Sequence, residues 1–272
     1  MRTLLLLFTF ALAATGIAQV SSQPVTLGRE YSFESATLDE RRSLFVYLPQ
    51  GYRADSSHLY PVVYLLDGGP EEDFIHLAGL LQFYAFPWID NVPACILVGI
   101  ANVDRRRDFT YPTANADDRR DFPTAGGSER FREFLRAEAM PLVDSLFPHA
   151  PRRVLIGQSL GGLFAAETLL RSPHLFTDYL IVSPSAWWDD GSLLERVPAP
   201  DAARPGVFVA VGREGEGMEA GARSLHDNLR RAGWAVDQLG FAYLPQRNHG
   251  DALHEAADRG LRFLLRDFSA TR

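Results

Sequence analysis

The chain of 272 residues contains no lysine; all 27 of its basic residues are arginine. That absence excludes a Ser-Lys dyad, a Schiff-base lysine, a pyridoxal phosphate anchor and a P-loop lysine. Cysteine is nearly absent too. Cys95 stands alone, so no internal disulfide can form, and a chain this long does not need one. It lies in an apolar run, Ala94 to Ile100, that reads as a buried central strand, where a thiol is inert. Paired-cysteine and His-x-x-x-His patterns are missing, so no metal site is expected, and nothing calls for a cofactor. Positive charge is in deficit, with a net charge of −7. The arginine clusters at 105–107 and 119–120 sit among aspartates, which argues against a nucleic-acid partner. Long apolar runs are confined to the N-terminus. Arg2 followed by Leu4 to Ala14 resembles a secretory leader, and Gly16-Ile17-Ala18 predicts cleavage after Ala18. The reading is an exported protein, periplasmic or secreted, with no membrane anchor and with 19–272 as a single domain. Oligomeric state is not readable.

The apolar and charged fractions, 46% and 22%, are those of a globular α/β chain. Residues 29–35 and 43–48 alternate apolar and polar side chains about a turn, predicting an antiparallel pair. Continuous apolar runs at 61–66, 94–100, 153–156, 178–182, 207–211 and 236–244 predict further strands. Helical patterns separate most of them, and Asn102 to Gly127 reads as a polar loop. Ser128 is the expected N-cap of a long helix that Pro141 should kink. A proline-rich loop covers 197–206, and a last helix runs from about 250 to 268. Such alternation implies a mostly parallel sheet with helices on both faces and an N-terminal antiparallel hairpin.

One pentapeptide carries chemistry. Gly157-Gln158-Ser159-Leu160-Gly161 lies between a predicted strand and a predicted helix, the setting of a nucleophile elbow. A serine hydroxyl needs a base and oxyanion donors. His249 is the only histidine placed at a strand end after the elbow, and it is the expected base. The acid should follow Gly212, where Glu214, Glu216 and Glu219 all fall; Glu214 is nearest the strand end. Expected oxyanion donors are the N–H groups of Leu160 and Gly69, since Pro70 has none. Trp187 and Trp188 follow another strand end, where they either wall a substrate pocket or pack a loop.

The chain resembles the esterase family of α/β-hydrolases that includes S-formylglutathione hydrolase, the mycolyltransferase antigens and the siderophore esterases. The matching stretches are 60–68, 107–113, 156–162, 183–188 and Asn248-His249-Gly250, in the family's order. The resemblance implies a serine ester hydrolase with Ser159 as nucleophile, His249 as base and a carboxylate after Gly212. It implies a small-molecule ester substrate, including siderophore-like or aromatic acyl esters. Siderophore esterases often show Gly-His-Ser at the elbow, where this chain has Gln158. Arg107, beside Asp108, matches a family loop and is either a structural ion pair or a contact to an anionic substrate. Acyl transfer to an alcohol would use the same nucleophile, and a non-catalytic binding protein would keep the same fold.

Overall fold

The computed structural model describes residues 21–55, 59–196 and 204–268. The expected leader and most of the proline-rich loop lie outside them. Among the described residues eight strands form one sheet: β1 (Arg29–Ser35), β2 (Glu40–Tyr47), β3 (Val62–Leu65), β4 (Ile96–Ile100), β5 (Arg153–Gln158), β6 (Asp178–Val182), β7 (Gly206–Gly212) and β8 (Leu239–Leu244). Their order is β1-β2-β4-β3-β5-β6-β7-β8. The β1–β2 and β2–β4 pairs are antiparallel, and every other pair is parallel. The central strands read as unbroken apolar runs because both of their faces are covered.

Helices α1 (Phe74–Tyr84) and α8 (Ala252–Leu265) pack on one face through Leu77, Leu81, Ala256 and Leu261. The other face carries α4 (Ser128–Phe134), α5 (Met140–Leu146), α6 (Leu160–Arg171) and α7 (Glu216–Arg231). There Phe109, Phe131, Phe134 and Phe164 interlock. Buried Arg42 pairs with buried Asp108 at 2.8 Å and lies over the rings of Phe131 and Phe134.

Several expectations shift. The loop from Asn102 to Gly127 contains two short helices, α2 (Arg105–Asp108) and α3 (Ala116–Asp121). The side chains of Asp104 and Asn115 cap their first N–H groups. Ser128 is not an N-cap: Gly127 holds that position, and Ser128 is buried in the first turn. The expected kink at Pro141 is a π-helical turn, Leu135–Ala139, between α4 and α5. Proline has no N–H to donate back along the helix, and the wider turn absorbs the break. The last strand begins at Leu239 rather than Val236, which is 84% exposed.

The chain order reverses at β3: β4 lies on one side of it and β5 on the other. In such sheets the crevice beyond the carboxyl ends of those strands is where ligands bind. The segment after β3 is Leu66-Asp67-Gly68-Gly69, and the residue after β5 is Ser159.

Candidate active site

Three residues with positive φ sit at neighbouring strand ends: Asp67 after β3 (52°), Ser159 after β5 (60°) and Ser183 after β6 (44°). Backbone strain of this kind clusters at functional sites. At Ser159 the glycines make the turn sterically possible. A Cβ on Gly157 would lie 2.2 Å from the Gly161 carbonyl oxygen, and one on Gly162 would lie 2.8 Å from that of Val182.

His249, in the loop between β8 and α8, reaches back over this turn. Its Nε2 is 3.1 Å from the Ser159 Oγ, and its Nδ1 is 2.6 Å from the Glu214 Oε2. With a proton on Nδ1 donated to Glu214, Nε2 is left to accept from the serine hydroxyl. The imidazole is 47% exposed, whereas the Glu214 side chain is 2% exposed. The second Glu214 oxygen accepts from the Ser183 hydroxyl at 2.5 Å and from the Gly212 N–H at 2.9 Å. Burial works against the Glu214 charge, but the bonds from His249, Ser183 and Gly212 outweigh it and hold the carboxyl below its ordinary value. Glu216 opens α7, and Glu219 accepts from the Glu214 N–H; the His249 Nδ1 bonds Glu214 instead. Gln158 donates its side-chain amide to the His249 carbonyl at 2.5 Å, tying the elbow to the histidine loop.

The expected oxyanion donors differ in state. Leu160 is the first residue of α6, so its N–H has no intrahelical acceptor. The Gly69 N–H donates to the Glu72 carboxylate at 2.7 Å. The other Glu72 oxygen accepts from Asn102, which also bonds Asp67, and Arg105 grips Asp67 through two nitrogens. Asp73, beside this cluster, has its carboxyl pushed up to about 6 by burial and by the charges of Asp67 and Glu72.

A cleft of about 540 Å³ opens over Ser159 and Leu160, walled by Arg105, Arg106, Phe122 and Trp187. The tryptophan pair therefore divides. Trp187 is 43% exposed and lines the cleft, whereas Trp188 is fully buried and donates its indole N–H to the Tyr111 carbonyl. Trp188 is a core residue, not a pocket wall. Arg107 is also redirected: it pairs with Glu40 and Asp108, and charge faces the cleft from Arg105 and Arg106 instead. Sequence reading missed these two, together with Phe122, Ser183 and the role of the Gln158 amide. The only available signal was the Asp104 cap, which turns consecutive arginines to different sides of a helix. Among the described residues no group of three or more His, Cys, Asp or Glu side chains could hold a metal ion. No helix there is long and apolar enough to cross a membrane.

A mostly parallel sheet with a strained serine beyond a central strand, and a histidine folded back onto it, defines an α/β-hydrolase. The chain belongs to the Putative esterase family, whose model matches residues 35–239. It is 26% identical over 250 residues to the ferri-bacillibactin esterase BesA of Bacillus subtilis, covering 84% of this chain and 86% of that protein. It is 31% identical over 151 residues to an apo-salmochelin esterase of Escherichia coli, covering 52% of this chain and 46% of that one. Among solved structures, an IroE-like serine hydrolase from Shewanella oneidensis superposes with a TM-score of 0.79 at 32% identity, over 89% of this chain and 81% of that one. The protein is accordingly a hydrolase acting on esters.

Proposed function

We propose that the protein is a serine esterase working through an acyl-enzyme, with Ser159 as nucleophile, His249 as general base and Glu214 as the group that orients it. The observation that carries this reading is the unbroken line from the Glu214 carboxylate through both nitrogens of His249 to the Ser159 hydroxyl. As Ser159 Oγ attacks the ester carbonyl carbon, its proton passes to His249 Nε2. The buried Glu214 carboxylate stabilises the imidazolium. The Leu160 N–H, and the Gly69 N–H once Glu72 has moved off it, receive the oxyanion. His249 then protonates the leaving alkoxide, and the acyl group remains on Ser159. A water gives a proton to His249 as it attacks this ester, and the serine regains its proton as the acid departs.

Arg105, Arg106, Phe122 and Trp187 offer cationic and aromatic surface to the acyl or alcohol part. That chemistry suits aromatic acyl esters of the siderophore type, in keeping with the substrates named for the relatives. The half-exposed imidazole leaves water a path to the acyl-enzyme, which favours hydrolysis over transfer to an alcohol. Residues 1–18 would direct export, placing the enzyme in the periplasm or outside the cell. Steady-state hydrolysis of p-nitrophenyl esters and catecholate trilactones by wild type and Ser159→Ala tests the reading. The variant is expected to lose at least about a thousandfold in kcat; hydrolysis at the parent rate would refute it.

A further inference from the structure

Two histidines outside the reaction cleft meet on the sheet face covered by α1 and α8. His76 lies in the first turn of α1 and His254 in the first turn of α8. They are 178 residues apart in sequence, yet the His254 Nδ1 is 3.3 Å from the His76 Nε2. The ring centroids are 4.9 Å apart, with the planes inclined at 40°. The two ring nitrogens therefore face one another across the gap between the helices, within reach of a shared proton or a shared ion. A tetrahedral ion about 2.05 Å from each nitrogen would set them about 3.3 Å apart. Neither imidazole makes another hydrogen bond among the described residues, and the pair borders solvent.

The surrounding carboxylates are engaged elsewhere. Asp258 accepts from the Tyr84 hydroxyl, Glu255 pairs with Arg247 and Arg259, and Asp251 accepts from the Asn248 N–H. They do not complete a ligand set with the two imidazoles.

We propose that His76 and His254 form a two-imidazole clamp for a borderline divalent transition-metal ion (Zn²⁺, Cu²⁺ or Ni²⁺), stapling α1 to α8. Water fills the remaining positions, so the ion exchanges freely rather than residing permanently. The two nitrogen donors favour these ions over Mg²⁺ or Ca²⁺, which take oxygen. Position gives the staple a consequence. The helix α1 follows the Gly68-Gly69 segment, and α8 follows the His249 loop. An ion here would fix the helices that carry both segments.

The test is calorimetric titration of the full chain with Zn²⁺ at neutral pH, for wild type, His76→Ala, His254→Ala and, as controls, His174→Ala and His249→Ala. A wild-type site that weakens at least about tenfold in each clamp variant and persists in both controls is expected. Should either alanine variant misfold, His254→Gln on the exposed helix surface replaces it. In wild type loaded with Cu²⁺, electron paramagnetic resonance should show coupling to two imidazole nitrogens. Absence of wild-type binding at about millimolar Zn²⁺, binding that survives loss of either clamp histidine, or coupling to a single nitrogen would each overturn the proposal.

Discussion

Replacing Asp73 by Asn should stabilise the protein at neutral pH and do little in acid. Asp73 occupies the N-cap position of α1 but makes no side-chain capping bond, so the amide removes none. Its carboxyl is half-buried beside Asp67 and Glu72, and its pKa rises from an ordinary 3.8 to about 6; Arg105 offsets only part of this. A carboxyl whose pKa is raised on folding binds its proton more tightly in the folded state. Its favourable contribution is complete below the unfolded value, and it is lost as pH climbs through about 6. That displacement corresponds to about 3 kcal/mol, which solvent screening at this half-buried site reduces to about 1–2 kcal/mol. Urea unfolding of Asp73→Asn at pH 7.5 should therefore show a gain of about 1–2 kcal/mol that shrinks toward zero near pH 4. A gain equal at both pH values, or a loss at pH 7.5, would refute the argument. The charge crowding matters for function because the reaction's own negative charge would develop at Gly69, beside the same carboxylates.

Removing the Glu72 carboxylate in Glu72→Ala frees the Gly69 N–H, and kcat/KM for a p-nitrophenyl ester should rise about three- to tenfold; an unchanged or lower value would exclude Gly69 as a donor. Gln158→Ala unties the His249 loop, so kcat should fall about tenfold with KM little changed, as steady-state kinetics would report. Trp188→Ala should cost about 3–5 kcal/mol in urea unfolding, whereas Trp187→Ala should leave stability within about 0.5 kcal/mol and raise KM.

The sheet and the turn at Ser159 were readable because their causes are local. Unbroken apolar runs mark strands covered on both faces, and the clash of any Cβ at Gly157 with the Gly161 carbonyl dictates a glycine there whatever surrounds it. His249 and Glu214 could be placed at strand ends by chain order, and in the fold their side chains meet. Neighbouring residues were harder to separate. Trp187 and Trp188 have the same composition and context, and only the 3-10 turn beginning at Trp188 sends one inward to Tyr111 and leaves the other at the cleft. The arginines at 105–107 divide in the same way between Asp67, the Phe122 ring at the cleft and Glu40, a partition made by contacts up to 67 residues distant. Ser128 had the residue type of a cap, but the Arg107 and Thr110 carbonyls take the Gly127 and Ser128 N–H groups and draw Ser128 into the first turn. The engagement of Gly69 by Glu72 and the meeting of His76 with His254 depend on side-chain positions and topology that no local pattern records.

Intact-mass analysis after reaction with a fluorophosphonate bears most directly on the catalytic assignment. A single adduct on Ser159, formed at least about a hundredfold more slowly in His249→Ala, is the predicted result. An unlabelled Ser159 in folded protein that still hydrolyses esters would contradict it.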